Sequence, residues 1–197
     1  MDMYGGAGDR FVMLYARYLA THGKRVLVVD ASEERRLLEY LPLPEEPLDC
    51  LFYQGVDYRI REVELPNRYD MVLYYWGESI RGGELPGRTA VVVSDCSREQ
   101  LEWAVNWSHR TGAFLVVTEV PEVGFAKRLL RRLEVSLPEK QVVELPWKSR
   151  DVRIMLALEH GISMSVRHLS RELLRLLRYL DQEKYREVEP DACGLLE

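Results

Sequence analysis

The sequence lacks most of the features that mark secreted, membrane-spanning and metal-binding proteins. Its 197 residues include 3 cysteines (Cys50, Cys96 and Cys193), which lie far apart and form no C-x-x-C pair. That spacing argues against a disulfide framework and against a zinc site. The 4 histidines have no ligand spacing of the H-E-x-x-H kind. No apolar run is long enough to span a membrane, and the amino terminus has no signal-peptide core. We therefore expect a cytoplasmic protein without membrane insertion or bound metal.

An excess of positive charge is also missing. The net charge is −5, so non-specific binding to nucleic acid is not expected. The hydrophobic fraction of 47% and the charged fraction of 30% are typical of a globular protein. The length suits a single α/β domain with a sizeable core. We expect residues 1–189 to form this domain and residues 190–197 to be a flexible tail.

The chain begins with a glycine-rich stretch followed by a helical pattern. The stretch is Y-G-G-A-G-D-R at residues 4–10, and apolar residues then recur at spacings of three and four from Phe11 to Leu19. Gly23 ends the predicted helix. The β-branched run that finishes at Asp30 is typical of a strand buried on both faces. This order predicts a βαβ unit whose first strand is almost missing.

Strand and helix patterns alternate along the rest of the chain. Strands are predicted at residues 69–75, 89–94, 113–118 and 141–145. Helices are predicted at residues 33–41, from Ser97 towards His109, at 124–133, at about 150–160 and at 166–184. Residues 45–58 are expected to be irregular, 59–65 an edge strand and 77–88 a loop. The alternation predicts a doubly wound, mostly parallel sheet with helices on both faces.

The order of these features resembles the ParA/MinD family of deviant Walker A ATPases. Four features of the family have counterparts in this sequence. They are the loop K-G-G-x-G-K-T, a strand ending in Asp, a Y-D-x-hydrophobic signature, and a late L-P pair followed by a segment with Asp. The matching stretches are residues 4–10, 23–30, 69–75 and 142–146, followed by Asp151 and Gly161. The likeness covers nearly the whole chain in the right order, and it implies a P-loop NTPase-like fold.

Four positions depart from the family pattern at the site of hydrolysis. The loop lysine is replaced by Asp9, the metal-holding hydroxyl residue by Arg10, the signature lysine by Tyr4 and the Walker B aspartate by Tyr75. Phosphoryl transfer needs cations on the phosphates and an oxygen ligand for Mg²⁺. The helix dipole stabilises a carboxylate in the first helical turn, such as that of Asp9, by roughly 0.3–1 kcal/mol. The same carboxylate repels a triphosphate. We therefore expect no catalytic residue and no ATPase activity.

The same resemblance defines a remnant phosphate-loop region, which we expect to be empty. Its residues are Gly5, Gly6, Gly8, Asp9, Arg10 and Asp30. We expect Asp30 to cap the following helix, and we expect no cofactor, with ATP or ADP as the alternative. In an empty loop, the glycines serve only to form a tight turn from strand to helix.

The resemblance implies a binding protein. Family members with eroded Walker motifs include TadZ/CpaE-like factors, which position pilus or secretion machinery, and family members dimerise face to face. We expect a non-hydrolysing localisation, assembly or scaffolding factor that forms a homodimer and binds other proteins. The aromatic residues around Tyr75, with Trp103 and Trp107, fit either a core or an interface.

Two other functions remain open from the sequence. One is a nucleotide-controlled switch with an altered loop. The other is a Rossmann-like cofactor-binding enzyme, because Asp30 lies about twenty residues after the loop; the missing third glycine disfavours it. The basic helix at 124–133 fits an ordinary surface helix, or contact with a membrane or an acidic partner.

Overall fold

The computed structural model describes residues 1–42, 50–59, 68–78, 89–134, 137–138, 141–146, 148–162 and 165–186, which contain eight strands and five α-helices. The strands are β1 (Asp2–Tyr4), β2 (Val26–Asp30), β3 (Cys50–Tyr53), β4 (Val56–Arg59), β5 (Met71–Tyr75), β6 (Ala90–Ser94), β7 (Phe114–Val120) and β8 (Val142–Pro146). The α-helices are α1 (Gly8–Thr21), α2 (Arg98–Thr111), α3 (Phe125–Arg132), α4 (Ser149–Glu159) and α5 (Arg171–Arg186). Short 3-10 helices cover Arg36–Tyr40 and Val166–His168. Most of the predicted loop (residues 79–88) and the predicted tail (residues 190–197) lie outside the described residues.

The strands form one sheet in the order β3-β4-β2-β5-β1-β6-β7-β8. Neighbouring strands are parallel except β3 and β4, which are antiparallel. Strand β1 has only three residues, yet it lies between β5 and β6, where Asp2 pairs with both Tyr74 and Ala90. The predicted mostly parallel sheet is confirmed, and the short first strand occupies its centre.

Helices cover both faces of this sheet because the buried strands are apolar on both faces. In β6, Val91 and Val93 pack in the core beneath α1, α4 and α5, whereas Val92 packs in the core beneath α2 and α3. Successive side chains of a strand point to opposite faces, so one apolar run contributes to two cores. The predicted doubly wound arrangement is therefore confirmed.

Helix α1 is the most enclosed element of the fold. Eleven of its fourteen residues are buried. One side packs on the sheet, and the other contacts α4, α5 and the 3-10 helix at Val166–His168. Most of the buried residues are apolar, with Asp9 and Arg17 as the buried charged ones. This packing holds the amino-terminal end of α1, with the glycine loop, at the carboxyl ends of the central strands.

The antiparallel edge of the sheet corrects the expectations for residues 50–59, whereas residues 45–49 of the part predicted to be irregular lie outside the described residues. Strands β3 and β4 form a hairpin within the part predicted to be irregular, and Arg59 ends β4 instead of starting an edge strand. Residues 60–65 of that predicted strand lie outside the described residues. The turn is Gln54-Gly55, with φ of 50° and 85°. Two consecutive left-handed residues give the turn that a two-residue hairpin favours.

Asp30 joins β2 to the first 3-10 helix. Its carboxylate accepts hydrogen bonds from the Ser32 backbone N–H (3.1 Å), the Ser32 hydroxyl (2.5 Å) and the Leu37 backbone N–H (3.0 Å). The side chain is 3% exposed. Burial is the largest influence and raises the pKa of Asp30, although all three hydrogen bonds act in the opposite direction.

Strand β1 turns into α1 through Gly5. Gly5 has φ of 102°, and its N–H donates to the Gly77 carbonyl at 2.7 Å. A Cβ atom added here would lie 2.0 Å from the Val93 carbonyl oxygen. Only glycine allows both this conformation and this approach.

The raised pKa of Asp30 predicts an unusual pH dependence of stability. The folded chain binds this proton more tightly than the unfolded chain, so the contribution of Asp30 to stability grows as pH falls through the folded pKa. We expect the stability of the wild type relative to Asp30→Asn to increase between pH 7 and pH 4 in urea unfolding. A relative loss over this range would contradict the burial argument.

The contact between Gly5 and Val93 predicts a large cost for Gly5→Ala. Gly23→Ala is the matched control, because Gly23 has φ of 81° but open space where a Cβ would lie. We expect the control to lose about 1–2 kcal/mol of unfolding free energy. Gly5→Ala should lose at least about twice as much, since the backbone must also shift. Equal losses in urea unfolding would show that the contact is unimportant.

Candidate functional site

The glycine loop lies at the carboxyl ends of the central strands, where open α/β sheets bind ligands. A cavity of about 460 Å³ lies against this loop. It is lined by loop residues, by Glu78 after β5, by Asp95 after β6 and by Glu119 in β7. Its volume falls within the range of roughly 300–1,000 Å³ that small-molecule sites have. This cavity, termed the loop cavity, is the candidate site.

Asp9 lies in the first turn of α1 and is 5% exposed. One carboxylate oxygen accepts a hydrogen bond from the Arg10 backbone N–H at 2.6 Å, and the other accepts one from the Tyr40 hydroxyl at 2.9 Å. The first N–H groups of a helix are the groups that bind phosphate in glycine-loop proteins. Here one of them donates to the chain's own carboxylate.

Tyr75 fills the space behind the glycine loop. The residue is fully buried at the end of β5, and a Cβ added at Gly8 would lie 3.1 Å from its ring. Its hydroxyl is 3.5 Å from the Gly5 carbonyl oxygen. Burial raises the pKa of Tyr75, and the nearby Asp9 carboxylate acts in the same direction. A neutral phenol therefore stands where the family resemblance implies a metal-binding aspartate.

A second carboxylate lies directly over the loop. A Cβ added at Gly6 would lie 2.8 Å from a carboxylate oxygen of Glu78 and 3.2 Å from the amide oxygen of Gln100. The Gln100 amide also donates a hydrogen bond to Glu78 at 2.7 Å. Sequence reasoning missed Glu78, because it follows β5 and meets Gln100 only through the sheet topology.

Acidic side chains outnumber basic ones around the loop cavity. The lining holds Asp9, Glu78, Asp95 and Glu119 against Arg10 and Arg36. The Arg36 guanidinium also donates to Glu34, which lies outside this lining. Phosphate sites concentrate cations instead. The electrostatics of this cavity therefore disfavour a polyphosphate.

Five of the six predicted site residues belong to the glycine loop and the start of α1, namely Gly5, Gly6, Gly8, Asp9 and Arg10. The sixth, Asp30, is bound to Ser32 and Leu37 and does not line the loop cavity. Among the described residues, no three His, Cys, Asp or Glu side chains are arranged to hold a metal ion. None of the helices in these described residues combines the length and the hydropathy that a membrane span needs.

The aromatic residues near the site divide between core and surface. Tyr74 and Tyr75 are buried in the sheet, and Trp107 is buried against Tyr4 with ring centroids 5.2 Å apart. Trp103 stacks on Trp107 and is only partly buried. The sequence was compatible with either a core or an interface role for these aromatic residues. The structure shows that most of them are packed in the core.

Comparisons with known proteins identify solved structures that share this fold. No protein-family model and no curated protein sequence matches the chain. A MinC:MinD cell division complex from Aquifex aeolicus is similar with a TM-score of 0.60 and 13% identity over 100% of this chain and 98% of that one. A protein assigned to plasmid partition in Borrelia burgdorferi B31, bound to AMPPNP, has a TM-score of 0.56 and 10% identity over 95% of this chain and 99% of that one.

A third solved structure is pNOB8 ParA bound to nonspecific DNA, with a TM-score of 0.50 and 13% identity over 96% of this chain and 99% of that one. All three matches extend over nearly the full length of both chains, so the likeness concerns the whole domain. At these identities it concerns the fold alone. The chain therefore shares its α/β fold with these MinD, plasmid-partition and ParA structures.

Proposed function

We propose that this chain is a non-hydrolysing ParA/MinD-like protein that acts as a localisation, assembly or scaffolding factor. The observation that carries the proposal is the buried carboxylate of Asp9, bound to the Arg10 N–H and the Tyr40 hydroxyl. The anion at the helix amino terminus is part of the chain, so the loop is stabilised without a nucleotide.

The surrounding groups support the absence of ATPase activity. Hydrolysis requires positive charge on the γ-phosphate and a metal held by oxygen ligands. At this site Glu78 adds a second carboxylate over the loop, and Tyr75 fills the position of the expected metal-binding aspartate. Glu78 therefore opposes the approach of a triphosphate, and the Tyr75 side chain offers no carboxylate ligand for its metal.

Protein contacts are the proposed means of action, with a cytoplasmic homodimer as the working unit. A protein of the same fold has been solved as a MinC:MinD complex, which provides a precedent for a partner protein on this scaffold. By analogy with TadZ/CpaE-like factors, the partner would belong to pilus or secretion machinery. We propose no nucleic-acid role, because the net charge is −5.

A second candidate is a nucleotide-controlled switch. The loop cavity of about 460 Å³ and the two arginines in its lining favour it, since they could hold a nucleotide of lower charge. The switch and the scaffold differ in one measurable property, namely whether nucleotide stabilises the folded chain.

Nucleotide binding is tested by thermal unfolding of the wild type and of the Asp9→Lys, Arg10→Thr double variant. We expect 1 mM ATP or ADP with Mg²⁺ to leave the Tm of the wild type unchanged. A dissociation constant of about 10 μM would instead add roughly 2.7 kcal/mol. The double variant should gain a nucleotide-dependent rise in Tm but no hydrolysis, since Tyr75 remains. A rise in the wild type would favour the switch.

The hydrogen bond from Tyr40 to Asp9 predicts a loss of stability in Tyr40→Phe. The Asp9 carboxylate would lose one of its two hydrogen-bond donors, which costs about 1–3 kcal/mol in a buried site. Tyr69→Phe is the matched control, because it removes a 2.7 Å phenol-to-carboxylate bond to the more exposed Asp57, together with a 2.8 Å bond from the exposed Arg68. Urea unfolding should show the larger loss for Tyr40→Phe, and the reverse order would contradict the role of Asp9.

A further inference from the structure

A smaller, apolar cavity opens beside the loop cavity. Its volume is about 200 Å³, and it lies among the end of β8, α4 and the start of α5. Its apolar lining consists of Leu145, Pro146, Val152, Met155, Leu156 and Leu173. Leu156 is 43% exposed, so part of this apolar surface reaches solvent.

The two cavities form one groove. Arg10, Thr118, Glu119 and Met155 line both of them. Glu119 has φ of 61°, a left-handed conformation that non-glycine residues adopt only where the surroundings enforce it. The backbone of β7 therefore holds a carboxylate at the junction between the polar and the apolar halves.

The groove as a whole carries an excess of negative charge. Its lining includes six acidic side chains and three basic ones, Arg10, Arg36 and Lys148. The acidic side chains are Asp9, Glu78, Asp95, Glu119, Asp151 and Glu172. All three bases have acidic neighbours: Arg36 pairs with Glu34, Lys148 lies 3.8 Å from Glu172, and Arg10 interacts electrostatically with Glu119.

Several of the carboxylates are held by neutral donors. Asp95 accepts from the Ser97 N–H at 2.7 Å, Asp151 from the Ser170 N–H at 2.6 Å and Glu78 from the Gln100 amide. Neutral donors fix a carboxylate in place without cancelling its charge. An electropositive group on a ligand would therefore be attracted into the polar half of the groove.

We propose that this groove docks a segment of a partner protein, with a lysine or arginine side chain in the acidic half and an apolar side chain in the apolar half. The inference rests on the proposed function, because the segment occupies the place that a nucleotide would need. Charge complementarity selects this occupant: a phosphate group would meet Asp9 and Glu78, whereas a guanidinium or ammonium group would pair with them.

The first experiment uses short blocked peptides as probes. Acetyl-Leu-Arg-amide and acetyl-Arg-Leu-amide are titrated into the full chain by calorimetry at low salt. The controls replace arginine by citrulline, which has the same shape without charge, or by glutamate. We expect at least one arginine peptide to bind with a millimolar or lower dissociation constant, and its citrulline form about tenfold more weakly. Equal binding of both forms, or no binding of either, would overturn the proposal.

A pair of variants then locates the binding. Glu119→Gln and Asp95→Asn keep the shape of the groove and remove charge, so each should weaken the arginine peptide severalfold. Glu122→Gln is the matched control, because Glu122 pairs with Arg128 outside the groove and its loss should leave binding unchanged. Binding that is insensitive to both groove variants would overturn the assignment to this site.

A parallel ATPase assay and nucleotide titration separate this proposal from the function on which it rests. If the arginine peptide fails to bind and Mg-ATP is neither bound nor hydrolysed, the docking proposal is wrong and the non-hydrolysing function stands. If Mg-ATP is hydrolysed and displaces the peptide, the proposed function is wrong. If Mg-ATP binds and no peptide does, the docking proposal is wrong and the nucleotide switch replaces the scaffold.

Discussion

The fold depends on one close approach of backbone to backbone, between Gly5 and the Val93 carbonyl oxygen. A Cβ at Gly5 would lie 2.0 Å from that oxygen, so the chain can turn from β1 into α1 at this point only because no side chain is present. The turn directs α1 back across the sheet, where α4 and α5 cover it. This constraint positions the first turn of α1, and with it the carboxylate of Asp9, at the carboxyl ends of the central strands.

A helix amino terminus fixed in this way attracts an anion, whether or not a nucleotide is available. This chain supplies its own anion. Asp9 accepts hydrogen bonds from Arg10 and Tyr40, so the 3-10 helix that contains Tyr40 is tied to the loop. The aromatic ring of Tyr75 packs behind the glycine loop. The backbone geometry that would hold a phosphate therefore holds the chain's own carboxylate, beside the loop cavity.

The sequence predicted those parts of this arrangement that depend on local periodicity. The buried strand ending at Asp30 and the helix after Gly8 follow from apolar spacing alone, and both occur as expected. The hairpin of β3 and β4 was missed, because two four-residue strands are too short to show alternation. The pairing of Glu78 with Gln100 could not be foreseen, since it joins the segment after β5 to the first turn of α2, which only the sheet topology brings together.

Strand β1 lies in the centre of the sheet, where β5 and β6 pair with it on both sides and all three of its residues are buried. The surrounding scaffold, and not the strand itself, stabilises the loop that follows. The packing of α1 rests largely on apolar side chains, and the turn into it rests on the backbone of Gly5. The fold is therefore compatible with a site whose polarity is the opposite of a phosphate site, and function must be argued from the side chains.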